Sequence, residues 1–489
     1  MIPKYKYLIT GLLLVIAASS CKKNWLDVSS SSQIKAEDQF KQESGFKDAL
    51  MGVYITMAGP TLYSRDLTWS VMDLLAQQYN TLPSSARYAD VQQYKYQSSR
   101  AVPYLDPFWS GLYNSIANIN AALTYIDKNK SVLKPIDYAL IKGELTGLRA
   151  FLHFDLLRLY GYGNISGRSV SDKLTVPYVL DFDKNAAPQL TYTQTFDLLQ
   201  KDISAALELL KEDPVYQAAS RPEGYYDEVN RTGFYNNRQQ RMNYYAVRAL
   251  EARFLLWRGG ADNLAIARVA AEDVINNSPA SLINPVDIGN SRMWTQEHIF
   301  SLNVNGFADI IGAYFNADVA NVNALFMLPA IAEGVFETQK SNVGQADRRY
   351  TSLMLSQSRG LAPVKLINQS GGTVVNTMPL IKLPEMYYIA AECYLGTDLG
   401  KAIQYLNEVR ASRGIIEEIP SAATRQEVEE ELYKEYRKEF VSEGQLFFYY
   451  KRLGKTTIPG LALGTVVGDN IYNLPYPDNE VEFGNREQQ

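Results

Sequence analysis

Leu383-Pro384-Glu385-Met386-Tyr387-Tyr388-Ile389-Ala390-Ala391-Glu392-Cys393-Tyr394 is the stretch that decides the fold. Met386, Ile389, Ala390, Cys393 and Tyr394 recur at i, i+3, i+4, i+7 and i+8, a single buried stripe of an α-helix. The stretch stops at Gly396, and a second helical pattern follows through Ala402, Leu406 and Val409 to Gly414. An earlier segment has the same layout: Ala249 to Trp257, a stop at Gly259 and Gly260, then a helix through Ala267 and Ala271. Small residues where helices cross, and glycine where the first one stops, are the grammar of tetratricopeptide hairpins. The copies are far apart rather than tandem. The expected fold class is therefore mainly α: degenerate tetratricopeptide-like hairpins interrupted by long loop insertions, with a few short β-hairpins.

Outward from these hairpins the helical period continues. Leu145, Leu148, Leu152, Leu156 and Leu159 form one stripe, and Leu432, Tyr436, Phe440 and Phe447 another. The spacing predicts helices near 42–57, 108–128, 136–160, 192–211, 242–258, 263–276, 385–395, 399–412 and 425–451. Between them lie polar, aromatic insertions at 60–105, 213–240 and 280–380. Loops of such length are usually functional or disordered. Strand-like pieces at Ile299–Val304 and Thr373–Val375 predict small hairpins, not a central sheet.

The beginning of the chain reads as an export signal. Lys4 and Lys6 precede an apolar run from Leu8 to Ala18, followed by Ser19, Ser20 and Cys21. The run is shorter than the roughly 20 residues of a membrane span and has the layout of a cleaved signal peptide. Residues 1–20 are expected to be removed, residues 21–40 to form a Ser-rich flexible tether, and residues 41–489 to form a single helical body. The formal net charge of −5 and the absence of any Lys/Arg run argue against a nucleic-acid surface. Tyrosine is in excess, 34 against 18 phenylalanines, and its apolar face with a polar tip suits half-wet binding surfaces.

Several motifs stand in an order that carries more than any one of them. They are Trp109, Leu112, Tyr113, Ile116, Ala117 and Asn118; Leu148-Arg149-Ala150-Phe151 with Leu156 to Gly161; Asp347-Arg348-Arg349-Tyr350; the Leu383–Glu392 helix start; Glu439-Phe440, Glu443-Gly444 and Phe447 to Gly454; and Leu474-Pro475-Tyr476-Pro477 with Asn479-Glu480. Together they resemble the SusD/RagB family over nearly the whole chain. By spacing alone these residues are mostly scaffold, since apolar and aromatic side chains at helical period are usually core. The resemblance implies an outer-membrane nutrient-binding lipoprotein of a Gram-negative bacterium, lipidated at Cys21 and facing the cell surface. It also implies a lid function over a SusC-like TonB-dependent transporter, with an oligosaccharide or peptide as ligand. Lys22 and Lys23 follow Cys21, where family members exposed on the surface often carry acidic residues.

The inventory for catalysis is thin. His153 and His298 are the only histidines, and Cys393 is the only cysteine besides Cys21. Gly454-Lys455-Thr456 imitates the end of a phosphate loop, but Tyr449 occupies the position of its first glycine. Asp181, Asp183 and Asn185 begin like a calcium loop, but Ala186 and Tyr192 replace its turn glycine and closing glutamate. No catalytic residue, metal or cofactor is assigned. A lipid-anchored glycoside hydrolase with a carboxylate pair in a cleft is the alternative, and a protein-docking scaffold with no small ligand is a third reading. The candidate ligand contacts are Tyr79, Arg87, Tyr88, Tyr94 and Tyr96 in the first insertion, with Trp294 from a later one completing an aromatic platform.

Overall fold

The apolar stripes become helices close to the positions their spacing marks. These are α1 (Glu43–Met57), α2 (Val102–Ile126), α3 (Pro135–Tyr160), α4 (Tyr192–Leu209), α5 (Tyr244–Arg258), α6 (Ala261–Asn277), α7 (Leu383–Tyr394), α8 (Leu399–Ser412), α9 (Arg425–Glu439) and α10 (Leu446–Leu453). The structure, a computed structural model, describes residues 36–487 apart from 184, 218–219, 288–291, 319, 368–375 and 463. The expected signal peptide, Cys21, most of the expected tether and the strand expected at Thr373–Val375 lie outside the described residues. The body is packed from Phe40, whose ring lies 4.8 Å from Phe46 and 5.3 Å from Tyr125.

Local chemistry sets the helix starts. Thr191 and Gln194 exchange bonds across the first turn of α4, and Thr424 and Glu427 do the same on α9. Both are capping boxes, which satisfy amides the helix leaves without partners. Asn243 caps α5 by accepting the Ala246 N–H at 2.9 Å.

Helices α1 to α8 pack as one continuous stack, each against the next. The two hairpins seen in the sequence, α5–α6 and α7–α8, are therefore neighbours in space, joined through α6 and α7 across the whole insertion 278–382. Helix α3 is buried on almost every side. Gly147 lets it approach closely: a Cβ there would stand 2.8 Å from the Val247 side chain and 2.9 Å from that of Met242.

One expected helix, 425–451, is broken. Between α9 and α10 the chain turns through Ser442 and Gly444, with φ of +66° and +72°. Asp73, on the short helix Val71–Leu75, accepts the Ser442 and Gly444 N–H groups at 2.7 and 2.9 Å and the Tyr79 hydroxyl at 2.9 Å. A Cβ on Gly444 would come within 2.7 Å of the Thr68 backbone, so the turn is fixed against the first insertion.

Strands are few among the described residues. β1 (His298–Asn303), β2 (Met354–Gln357), β3 (Gly360–Pro363) and β4 (Thr377–Lys382) form a long-range antiparallel pair, β1–β4, and a local hairpin, β2–β3. The first and third insertions meet each other. Asn80 N–H donates to Phe326 O at 2.7 Å, Asn80 Oδ1 accepts the Phe326 N–H at 3.1 Å, and Arg87 N–H donates to Asn323 Oδ1 at 2.7 Å.

The motif residues converge on a buried ion cluster. Glu439 accepts from Lys382 at 2.6 Å, from Arg413 at 3.0 and 3.1 Å and from Arg349 at 3.1 Å. Arg349 also reaches Asp347 and Glu435, each at 2.7 Å, and Arg413 reaches Glu297 at 2.7 and 2.8 Å. These cations hold the Glu439 carboxyl well below the usual range, and Arg349, Lys438 and Arg410 hold Glu435 down at about 2. A buried charge left without its partner costs far more than the pair gains. Glu439→Gln is therefore expected to lower folding stability by about 3–5 kcal/mol, measured as a shift in denaturation midpoint. A shift below about 1 kcal/mol would show that the cations re-pair with the remaining acids.

Both histidines are packed rather than poised. His153 donates from Nδ1 to Arg149 O at 2.9 Å, accepts the Val179 N–H on Nε2 at 2.9 Å, and stacks on Tyr178 at 3.8 Å. Protonation of Nε2 would set donor against donor, and burial pushes His153 and His298 down to about 3. A lowered folded-state pKa gives stability that is complete above the unfolded value, near 6.5, and is lost as pH falls. Asp73, pushed up to about 7 by burial, opposes this with one group against two. The melting temperature should therefore decline from about pH 6.5 to 4.5, above the range where exposed carboxylates titrate. A profile that stays level or rises on acidification through that window would refute the assignment.

Candidate ligand-binding site

The first insertion, pinned to the turn before α10 by Asp73 and to the third insertion by Asn80, presents one edge to an open cleft of about 760 Å³. Residues 94–98 form one wall, and the C-terminal segment 469–475 forms the other. The walls are tied by Tyr96, whose hydroxyl donates to Ile471 O at 2.5 Å, and the second wall is fixed to α3 by Leu474, whose N–H donates to Leu159 O at 3.1 Å.

Tyr94 stands at the centre of the first wall. Its backbone is left-handed, with φ of +58°, a conformation uncommon outside glycine. Its hydroxyl donates to Leu75 O at 2.7 Å and accepts from Gln77 Nε2 at 3.1 Å, while the ring stays half-buried, set edge-on to Tyr96 at 6.1 Å. Burial pushes the Tyr94 phenol up to about 12, so it is neutral at any physiological pH.

Asn473 faces from the opposite wall. It is 8% exposed, and both its carboxamide atoms are buried with no hydrogen-bonding partner among the described residues. An unmade bond of this kind costs about 1–3 kcal/mol, which a hydroxyl-bearing ligand in the cleft would relieve once the side chain turns outward to meet it. Gln97 and Asn470 add neutral donors and acceptors to the lining, while the Ser98 hydroxyl is taken up by Asp90 at 2.8 Å. Asp469 is the only carboxylate among the described lining residues, and Arg168 holds it in a two-pronged pair at 2.9 and 3.1 Å.

Of the expected contacts, the structure brings Tyr94 and Tyr96 together at this cleft. The others stand elsewhere. Tyr79 is buried against Asp73, and Tyr88 is buried with its hydroxyl on Asp66 at 2.7 Å. Arg87 is exposed but lies over the rings of Tyr104 and Tyr88, 4.8 and 5.4 Å from their centres. Trp294 is 2% exposed, packed with Ile283 and Leu353 under the Arg413 guanidinium. The aromatic platform expected to include Trp294 is therefore not formed: Tyr79, Tyr88 and Trp294 spend their rings on packing. Tyr225 and Tyr226 likewise bond Glu212 through their hydroxyls. Cys393 is largely buried, with its thiol pushed up to about 12. Asn470 and Asn473 were missed by sequence reasoning. The one signal for them was their place just before the Leu474-Pro475 motif.

Comparison with known proteins agrees with this architecture. A SusD-like family model described as "Starch-binding associating with outer membrane" matches residues 24–224, and a model of the SusD family matches residues 332–482. No curated protein matches the chain. Among solved structures, a SusD superfamily protein of Bacteroides thetaiotaomicron is similar at a TM-score of 0.71 and 19% identity, covering 92% of this chain and 100% of that one. A SusD superfamily protein of Bacteroides vulgatus is similar at 0.70 and 21% identity, covering 92% and 98%. A third, surface glycan-binding protein A of Bacteroides thetaiotaomicron in complex with laminarihexaose, is similar at 0.65 and 17% identity, covering 91% and 97%. Two family models in chain order, laid over a helical stack that these structures share, give one conclusion: the chain belongs to the SusD/RagB family.

Proposed function

We propose that this protein binds an oligosaccharide in the cleft between residues 94–98 and 469–475. In this reading it serves as the lipid-anchored outer-membrane lid of a SusC-like TonB-dependent transporter. The observation that carries the reading is the pairing of a half-open Tyr94 ring with the unpartnered Asn473 carboxamide across one cleft. Tyrosine faces stack on the C–H faces of sugars, and carboxamides donate to and accept from hydroxyls. The starch-binding description of the matching family model and the laminarihexaose bound to a similar structure favour a glycan over a peptide.

Binding without turnover is the accompanying reading. Glycoside cleavage uses two carboxyl groups about 5–10 Å apart, whereas the described cleft lining offers Asp469 alone, already held by Arg168. Incubation with oligosaccharides should return them intact on product analysis.

Asn473→Leu tests the site cleanly, because exchanging an unsatisfied buried amide for an apolar group of similar size is close to neutral for folding. Its melting temperature should stay within a few degrees of the parent, while affinity in a glycan panel drops about tenfold. Tyr94→Ala should show a comparable loss. Parental affinity in both variants would place the ligand elsewhere.

The anchor and the partner belong to the same proposal. Cys21, freed by removal of residues 1–20, is assigned the lipid, and several acyl chains at about 0.8 kcal/mol per buried methylene hold a protein far better than one. Native protein taken from membranes in mild detergent should carry acylated Cys21 and bring a large barrel protein with it, whereas Cys21→Ala should be released. An unmodified Cys21, or repeated recovery of the lipoprotein alone, would count against anchor and lid respectively.

A further inference from the structure

A second cleft, of about 590 Å³, opens beside α1 and shares no lining residue with the first. One wall is apolar, with Met51 and Ile55 of α1 turned outward, the latter 70% exposed. The facing wall carries the carboxamides of Asn237, Gln240, Asn303 and Asn305, from the loop before α5 and the end of β1. None of these four side chains has a hydrogen-bonding partner among the described residues, so each offers free donors and acceptors.

The walls are fixed from below. Tyr54 of α1 donates to Glu144 at 2.6 Å and accepts the Met242 N–H at 2.8 Å, while Arg238 and Arg241 reach the same carboxylate at 2.6 and 2.8 Å. Asn237 is held with φ of +54° on this base. A cleft set before its ligand arrives avoids the ordering cost of binding. Arg241 is the one charged residue in the described lining, and its guanidinium is taken up by Glu144 and by Phe234 O at 2.9 Å. The cleft therefore has no free charge for a uronate, a sulfate or a peptide terminus.

We propose that this cleft is a second saccharide site, selective for neutral sugars, whose C–H face lies on Met51 and Ile55 and whose hydroxyl edge meets the four carboxamides. The proposal rests on the reading of the protein as a glycan binder. Carboxamides suit adjacent hydroxyls because both groups donate and accept, and the aliphatic strip supplies the apolar contact.

Hydrogen exchange read by mass spectrometry on the mature protein separates the two sites. The probes are neutral hexasaccharides of β- and α-glucan, mannan, xylan and galactan, oligogalacturonate, and a mixed peptide pool. At least one neutral glycan should protect segments 233–241 and 302–306, and should still do so in Asn473→Leu. Asn237→Gly, which keeps the left-handed backbone, and Asn303→Ala should each weaken that protection about three- to tenfold in midpoint concentration. Protection confined to 94–98 and 469–475 would overturn the second site and leave the first standing. Protection of neither region by any glycan would overturn the glycan reading itself. A second cleft that responds to oligogalacturonate or peptides instead of neutral glycans would also refute the proposal.

Discussion

Glu439 lies wholly inside the protein, and the cations that neutralise it come from three separate places: Arg349 within the third insertion, Lys382 at the end of β4 and Arg413 after α8. None of these side chains can be buried alone without a severe desolvation cost. A cluster of this kind adds little net stability over a well-packed apolar core, but it penalises every arrangement in which one member is left unpaired. The junction of α7, α8, α9 and the third insertion is thereby restricted to one geometry. Glu443 extends the same chemistry to Lys365 and Lys382 at 2.5 and 2.8 Å, up to the turn that Asp73 holds against the first insertion. Through these steps a constraint in the helical core reaches the loops that form the ligand cleft.

The helices were legible because burial on one face leaves a periodic mark: the stripe from Met386 to Tyr394 and the leucines from Leu145 to Leu159 needed no tertiary knowledge. The contact between α6 and α7 left no such mark, since nothing in either stripe says which other stripe it meets. The single helix expected over 425–451 failed because apolar spacing from Tyr436 and Phe440 to Phe447 is kept across a turn. Gly444 was the local sign of that turn, but its reason, the close approach of Thr68, lies far away in sequence. The candidate site was legible in part. Polar neighbours made Tyr79 and Tyr88 look like surface rings, yet Asp73 and Asp66 satisfy their hydroxyls inside the protein. Asn473 could not be found from the sequence, because its significance is the partner it lacks.

The two clefts are built alike. In each, a tyrosine hydroxyl holds a loop, Tyr96 donating to Ile471 O and Tyr54 of α1 accepting the Met242 N–H, and exposed carboxamides line the opening, Gln97 and Asn470 in the first and Asn237, Asn303 and Asn305 in the second. Tyrosines thus do two jobs: several, Tyr79, Tyr88 and Tyr96 among them, hold loops in place with their polar tips, and Tyr94 keeps part of a face available. The tyrosine excess in the composition reflects chiefly the first of these.

The contact between α6 and α7 closes a loop that runs from residue 278 to residue 382. Closure entropy grows only logarithmically with length, about 0.6 kcal/mol for each doubling. Once the two helices are docked, residues added to or removed from the exposed parts of that loop change the free energy of the stack very little. The helical body can therefore stay as it is while the exposed parts of the segment it brackets lengthen, shorten or change composition, provided the buried Glu297, Arg349 and Lys382 are kept. A scaffold joined in this way allows its variable surface to diverge in sequence without refashioning its core.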